Sequence, residues 1–196
     1  YEINPSFIQI IKDRIGDSDA FAKSEIEVIK QENLNSNFEE KIKSLPYQFI
    51  DTHKLDKKID VLVNNAGLAA GLAPIQDGKL AHWEQMIDTN VKGLLYITKH
   101  VSKILIENKK GHIINMGSVA AKQIYQFGNA YCASKAAVDA LSHSMRIDLV
   151  QHKIKVTAIH PGAAETEFAL VRFKGDATKA KQTYQGFKPL QANDIA

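Results

Sequence analysis

A chain of 196 residues is long enough for one domain with a sizeable core and too short for two comfortable ones. Its 44% hydrophobic and 24% charged content is that of an ordinary soluble globular protein, and a formal net charge of +3 is too weak an excess to argue for nucleic acid or a membrane surface as partner. Lone Cys132 excludes an internal disulfide, no Cys/His spacing marks a metal site, and neither a signal-peptide pattern nor a run of ~18 apolar residues occurs, so a cytoplasmic setting is expected.

Taken in chain order, "FIQII" (7–11) and "IEVIK" (26–30) read as two strands, with "NFEEKIKSL" (37–45) as a helix. The first of these reads equally well as part of an amphipathic helix over 5–15, and residues 44–58 are polar and Pro-broken, as in a loop. Three apolar runs follow as strands: "IDVLV" (59–63), "HIINM" (112–116) and "IKVTAI" (154–159). None alternates cleanly, which predicts strands buried on both faces, as in a parallel sheet. Between them lie two helical patterns. One spans roughly 80–107, and the other roughly 130–150, with Ala133, Ala137, Leu141, Ser144 and Asp148 tracing one face and its alanines expected toward the core. Strand, helix, strand, helix, strand predicts a doubly wound α/β sheet, in which ligands bind at the carboxyl ends of the strands. The turns Asn64–Gly67, Gly117–Ser118 and Pro161–Gly162 should therefore share one crevice.

Those turns carry specific wording. "NNAG" (64–67), the asparagine of "MIDTNVKG" (86–93), the serine of "INMGS" (114–118), "YCASK" (131–135) and "HPGAAETEF" (160–168) occur in one fixed order. Together they resemble the short-chain dehydrogenase/reductases, from about residue 59 to 196, in the branch of NADP-dependent 3-hydroxy acid (serine-type) dehydrogenases. Five motifs in order are specific where one alone is weak.

The resemblance implies a single Rossmann-like domain, an NAD(P)-dependent oxidoreductase of small 3-hydroxy acids or related alcohols, and a homodimer or homotetramer built on the two long helices. NADP is the implied cofactor, with NAD as the alternative. It assigns catalysis to Asn90, Ser118, Tyr131 and Lys135, with Tyr131 moving the proton, Ser118 polarising the substrate carbonyl and Asn90 anchoring a water. Cofactor contacts fall to Asn64, Ala66, Gly67, Tyr131, Lys135, Pro161, Gly162 and Thr166. The chemistry agrees with the spacing: a phenol titrates near ~10, and an ammonium one helical turn away favours its phenolate. Arg172 and Lys174 are candidates for a substrate carboxylate, which a guanidinium meets in a two-pronged geometry; both read equally well as surface charges on a lid. Taken singly, a Tyr and Lys at i, i+4 are usually solvated surface, and a Ser after a strand is usually a turn or cap.

One expected feature is missing from the sequence. No glycine-rich phosphate turn precedes "NNAG", and "GLAAG" (67–71) is not a substitute, because Pro74 and Gly78 interrupt any helix after it. The fold is therefore expected to be incomplete, lacking the first βα unit and the last strand. Such a chain should bind NADP(H) poorly, and the alternative to an enzyme is a catalytically silent interaction module. A serine hydrolase using Ser118 with His143 or His160 fares worse, since "MGSVA" lacks the Gly-x-Ser-x-Gly elbow.

Overall fold

The computed structural model describes residues 59–196, so the elements expected within 1–58 lie outside the described residues. Three strands, β1 (Val61–Asn64), β2 (Gly111–Met116) and β3 (Ile154–Ile159), pair in that order in a parallel sheet, with Val61 beside His112 and Gly111 beside Ile154. Helices α1 (Leu80–Ile87) and α2 (Leu94–Asn108) precede β2, and α3 (Asn129–Leu149) connects β2 to β3; the short α4 (Phe168–Arg172) and α5 (Ala177–Gln182) follow.

Parallel neighbours need crossovers, and α2 and α3 both pack on the same side of the sheet. Leu62, Ile113, Ile154 and Val156 from the strands meet Leu94, Val101 and Leu105 of α2 and Val138, Met145 and Leu149 of α3 in one cluster. Leu105, Ile113 and Val138 are almost fully buried, and each such side chain contributes about 1.5–3 kcal/mol. Among the described residues the two faces of β3 differ in burial. In β3, Ile154 and Val156 point inward while Lys155 and Thr157 are exposed.

Polar side chains stitch the sheet to its helices. The Asn64 amide donates to Thr98 Oγ1 (2.9 Å) on α2 and to Asn115 Oδ1 (2.8 Å) on β2. Asn115, wholly buried, donates to Ser142 Oγ at 2.9 Å, and Ser142 donates to the Val138 carbonyl at 2.7 Å. Buried polar groups without partners cost free energy, and this chain of bonds removes that cost.

The helical pattern over 80–107 is borne out as an unbroken run from Leu80 to Asn108, in which a π-helical stretch, Asp88–Gly93, lies between α1 and α2. The expected core face of α3 is corrected: Ala133 is exposed, as are Ser144 and Asp148, whereas Tyr131, Cys132, Ser134, Lys135, Val138, Ser142, Met145 and Leu149 are buried. Three of those eight buried residues are Ser134, Lys135 and Ser142, so a hydrophobic pattern does not find this face.

Candidate active site

The exits of all three strands converge. Gly117 N donates to the Ile159 carbonyl at 2.7 Å and Val119 N to the Pro161 carbonyl at 3.0 Å, which joins the turn after β2 to the turn after β3. The start of α3 is fixed from the β1 side, where the Asn129 amide donates to the Ala73 carbonyl at 2.9 Å. Tyr131 and Lys135 lie in the first two turns of α3 and face inward against these exits.

Ser118 Oγ accepts from Ala120 N at 3.1 Å, capping the 3-10 turn Val119–Ala121, and the Ser118 side chain is close enough to the Tyr131 phenol to oppose its upward shift. Burial pushes the Tyr131 phenol up to about 12, opposed by Ser118 and the Arg172 charge. Burial also pulls the Lys135 ammonium down to about 8, and its Nζ donates to the Met116 carbonyl at 2.8 Å. The expected lowering of the phenol by Lys135 is therefore not what dominates here: desolvation wins, and the guanidinium of Arg172 is the nearby cation that opposes it.

Asn90 sits in the π-helical stretch and is almost completely buried. Its Oδ1 accepts from Leu68 N (2.8 Å), and its Nδ2 donates to the Leu68 carbonyl (2.9 Å) and to Ser134 Oγ (2.9 Å). Ser134 in turn donates to the Tyr131 carbonyl at 2.8 Å. The side chain thus clamps the segment after β1 to the first turns of α3, without a contact with Tyr131 Oη. Widened turns of this kind are frequent at functional sites. Gly67 lies beside this clamp, where a Cβ would stand 3.2 Å from Lys135 Nζ and 3.4 Å from Asn90 Oδ1. Glycine there gives the ammonium room at the β1 exit.

Arg172 is buried, which removes the reading of a surface charge on a lid. Its Nε donates to the Gly71 carbonyl at 3.1 Å, and its guanidinium lies 5.4 Å from the Tyr125 ring centroid and 5.6 Å from that of Tyr131. A small surface cleft opens here, lined among others by Lys79, His82, Trp83, Asn129, Tyr131 and Arg172. His82 is lowered by burial, then by the charges of Lys174 and Lys79, so the cleft wall is electropositive. Lys174 itself is exposed.

The remaining expected residues are placed as follows. Asn64 directs its amide hydrogens into the protein, and Ala66 is exposed at the β1 exit. Pro161 borders the Ser118 turn through its carbonyl, Gly162 has only Leu190 within ordinary contact of a Cβ, and Thr166 Oγ1 accepts from Phe168 N at 3.2 Å at the start of α4. His160 touches Ser118 through the Ser118 carbonyl, at 3.1 Å, and not through the hydroxyl a hydrolase would activate. Ser134, Tyr125 and the His160–Asp139 pair escaped the sequence reading; for Ser134 a signal was present, a small polar residue one turn after Tyr131. Among the described residues no group of three His, Cys, Asp or Glu is placed to hold a metal ion, and no helix is long and apolar enough to cross a membrane.

Comparison with known proteins agrees with this geometry. The short chain dehydrogenase family model matches residues 28–176. The chain belongs to the short-chain dehydrogenase family. The match begins upstream of residue 59, where the motifs start. This short-chain dehydrogenase is 43% identical over 189 residues to the NADP-dependent 3-hydroxy acid dehydrogenase YdfG of Salmonella typhi, covering 96% of the chain and 71% of that protein. It is 46% identical over 140 residues to serine 3-dehydrogenase of Rhizobium radiobacter, covering 71% of the chain and 56% of that protein. Among solved structures, the closed form of serine dehydrogenase complexed with NADP+ superposes with a TM-score of 0.68 at 46% identity, covering 80% of the chain and 61% of that structure. The parallel sheet with crossover helices is the described part of a Rossmann-like fold.

Proposed function

We propose that this short-chain dehydrogenase is an NADP-dependent oxidoreductase that interconverts small 3-hydroxy acids and their carbonyl forms. The observation that carries the reading is one cluster: Ser118 beside the Tyr131 phenol, Lys135 in the next turn, and Arg172 over the Tyr131 ring. The relatives named for NADP-dependent 3-hydroxy acid and serine 3-dehydrogenase activity support the cofactor and the substrate class.

NADP, when bound, accepts or supplies the hydride. Lys135 and Tyr131 would hold its nicotinamide ribose, and the donors there fit hydroxyl groups: an ammonium and a phenol at adjoining strand exits, with Gly67 leaving room. Asn64, Ala66 and Gly67 would lie on its adenosine side, and Pro161, Gly162 and Thr166 along its nicotinamide side.

The proton is handled by the chain. With its phenol held up at about 12, Tyr131 stands protonated near neutral pH, ready to donate from Oη to a carbonyl oxygen. In the oxidative direction Tyr131 first releases its own proton to solvent, with the Arg172 charge favouring the phenolate, and Oη then takes the hydroxyl proton of the substrate. Ser118 Oγ orients the reacting oxygen, Arg172 holds the substrate carboxylate, and Asn90 positions Tyr131 through Ser134. The protein is further proposed to be cytoplasmic and a homodimer or homotetramer, for which the exposed Leu95 and Ile147 on α2 and α3 offer apolar contacts.

The carboxylate assignment is tested by Arg172→Leu. Hydrogen bonds to charged groups are worth about 1.5–3 kcal/mol, so KM for a 3-hydroxy acid should rise on the order of 10- to 100-fold while KM for its uncharged ester changes little. Arg172→Lys should recover part of the loss. Equal losses on acid and ester would reject the assignment.

A further inference from the structure

We propose that Asp139 and His160 form a clasp that positions Ser118 for the reaction; this rests on the functional reading above. His160 ends the β3 exit and lies between two acceptors. Its Nδ1 meets the Ser118 carbonyl at 3.1 Å, and its Nε2 meets Asp139 Oδ1 at 3.0 Å, so the ring bridges α3 to the turn that carries Ser118. Filling both contacts with hydrogen bonds requires an N–H on each ring nitrogen.

The carboxylate end is built to remain charged. Lys122, just beyond the Val119–Ala121 turn, hydrogen-bonds Asp139, and His143 lies one turn further along α3 with its Nε2 at 3.8 Å from Asp139 Oδ1. Lys122 first, and then the His160 and His143 charges, hold the Asp139 carboxyl below the usual carboxylate range. The carbonyl end is equally specific. A Cβ on Gly117 would fall 2.6 Å from His160 Nδ1, so the ring lies directly against the backbone preceding Ser118.

The main-chain bonds from Gly117 to Ile159 and from Val119 to Pro161 bracket Ser118, and His160 supplies the tie to its own carbonyl. Ser118 has an extended backbone, φ −170°, and its hydroxyl must serve the Ala120 amide, Tyr131 and the substrate from one position. A residue that fixes this carbonyl therefore acts on the reaction through Ser118, without touching substrate.

The test is a double-mutant cycle in the intact protein with Asp139→Ala, His160→Ala and both, plus Asp139→Asn, which keeps an oxygen acceptor. A misplacement of about 1 Å can cost ~100-fold in rate, so each alanine variant should lower kcat by roughly ten-fold with KM little changed. The double variant should be no slower than the worse single, and Asp139→Asn should be milder than Asp139→Ala. A second readout needs no turnover: amide resonances of Ser118, Val119 and Ala120 should shift alike in both alanine variants. Multiplicative kcat losses, unchanged kcat, or unrelated shifts at those amides would overturn the clasp. If the unmodified protein oxidises no 3-hydroxy acid, the functional reading falls, and the amide shifts alone decide the clasp.

Discussion

Burial moves Tyr131 up to about 12 and Lys135 down to about 8, and these two opposite shifts give the site a stability signature. Unfolded, Lys135 keeps its proton to a higher pH than it does when folded, so between about pH 8 and 10 the unfolded chain binds more protons and stability rises with pH. Unfolded, Tyr131 loses its proton near ~10 while the folded phenol retains it, so stability falls from there to about pH 12. Melting curves of the protein and of Lys135→Met, compared across pH, should show the rise above pH 8 in the former only. A parallel pair of curves would show that Lys135 is not held in the depressed state. At this scale the sequence was informative where chemistry is local. Tyr131, Lys135 and Ser118 stood out only through the ordered motifs that carry the family resemblance, since each spacing taken singly reads as surface or cap. His160 and Asp139 did not, because their contact exists only once β3 is laid beside α3.

Among the elements, α3 is where periodicity misled. The α1–π–α2 run and α3 were both legible as helices, and the β3 bounds were legible outright. The π-helical stretch at Asp88–Gly93 was not, because its cause is tertiary: Asn90 turns inward to bind both backbone groups of Leu68 and the Ser134 hydroxyl. The α3 face was misread for a related reason, since its buried side includes a lysine and two serines whose partners lie on other elements. The clamp has a measurable worth. Asn90→Ala strands the buried Leu68 amide and carbonyl, and at about 1–3 kcal/mol for an unsatisfied group the loss in urea unfolding should reach roughly 2–4 kcal/mol. Ser134→Ala removes one bond and should cost about 1 kcal/mol. A near-neutral Asn90→Ala would contradict a positioning role for that side chain.

At the scale of the whole molecule, the described residues form a parallel sheet with α2 and α3 packed on one face, and it brings three strand exits together. Gly67 gives room at the β1 exit, Ser118 follows β2, and residues 160–166 border the turn after β3. Alpha-3 then lays Tyr131 and Lys135 across all three. This convergence was foreseeable from the alternation of strands and helices, because ligand sites in such sheets follow the carboxyl ends of the strands. The depth of Arg172 was not foreseeable, since only the folded chain brings "VRFKGD" against Gly71 and the two tyrosines. The central claim is that Tyr131 moves the proton in NADP-dependent oxidation of a 3-hydroxy acid. The most direct test follows NADPH formation from a small 3-hydroxy acid by the intact protein and by Tyr131→Phe. Proton transfer by a positioned side chain is worth about 10²–10⁴-fold, so kcat should fall by that factor with circular dichroism unchanged. A Tyr131→Phe protein that keeps its turnover would contradict the account.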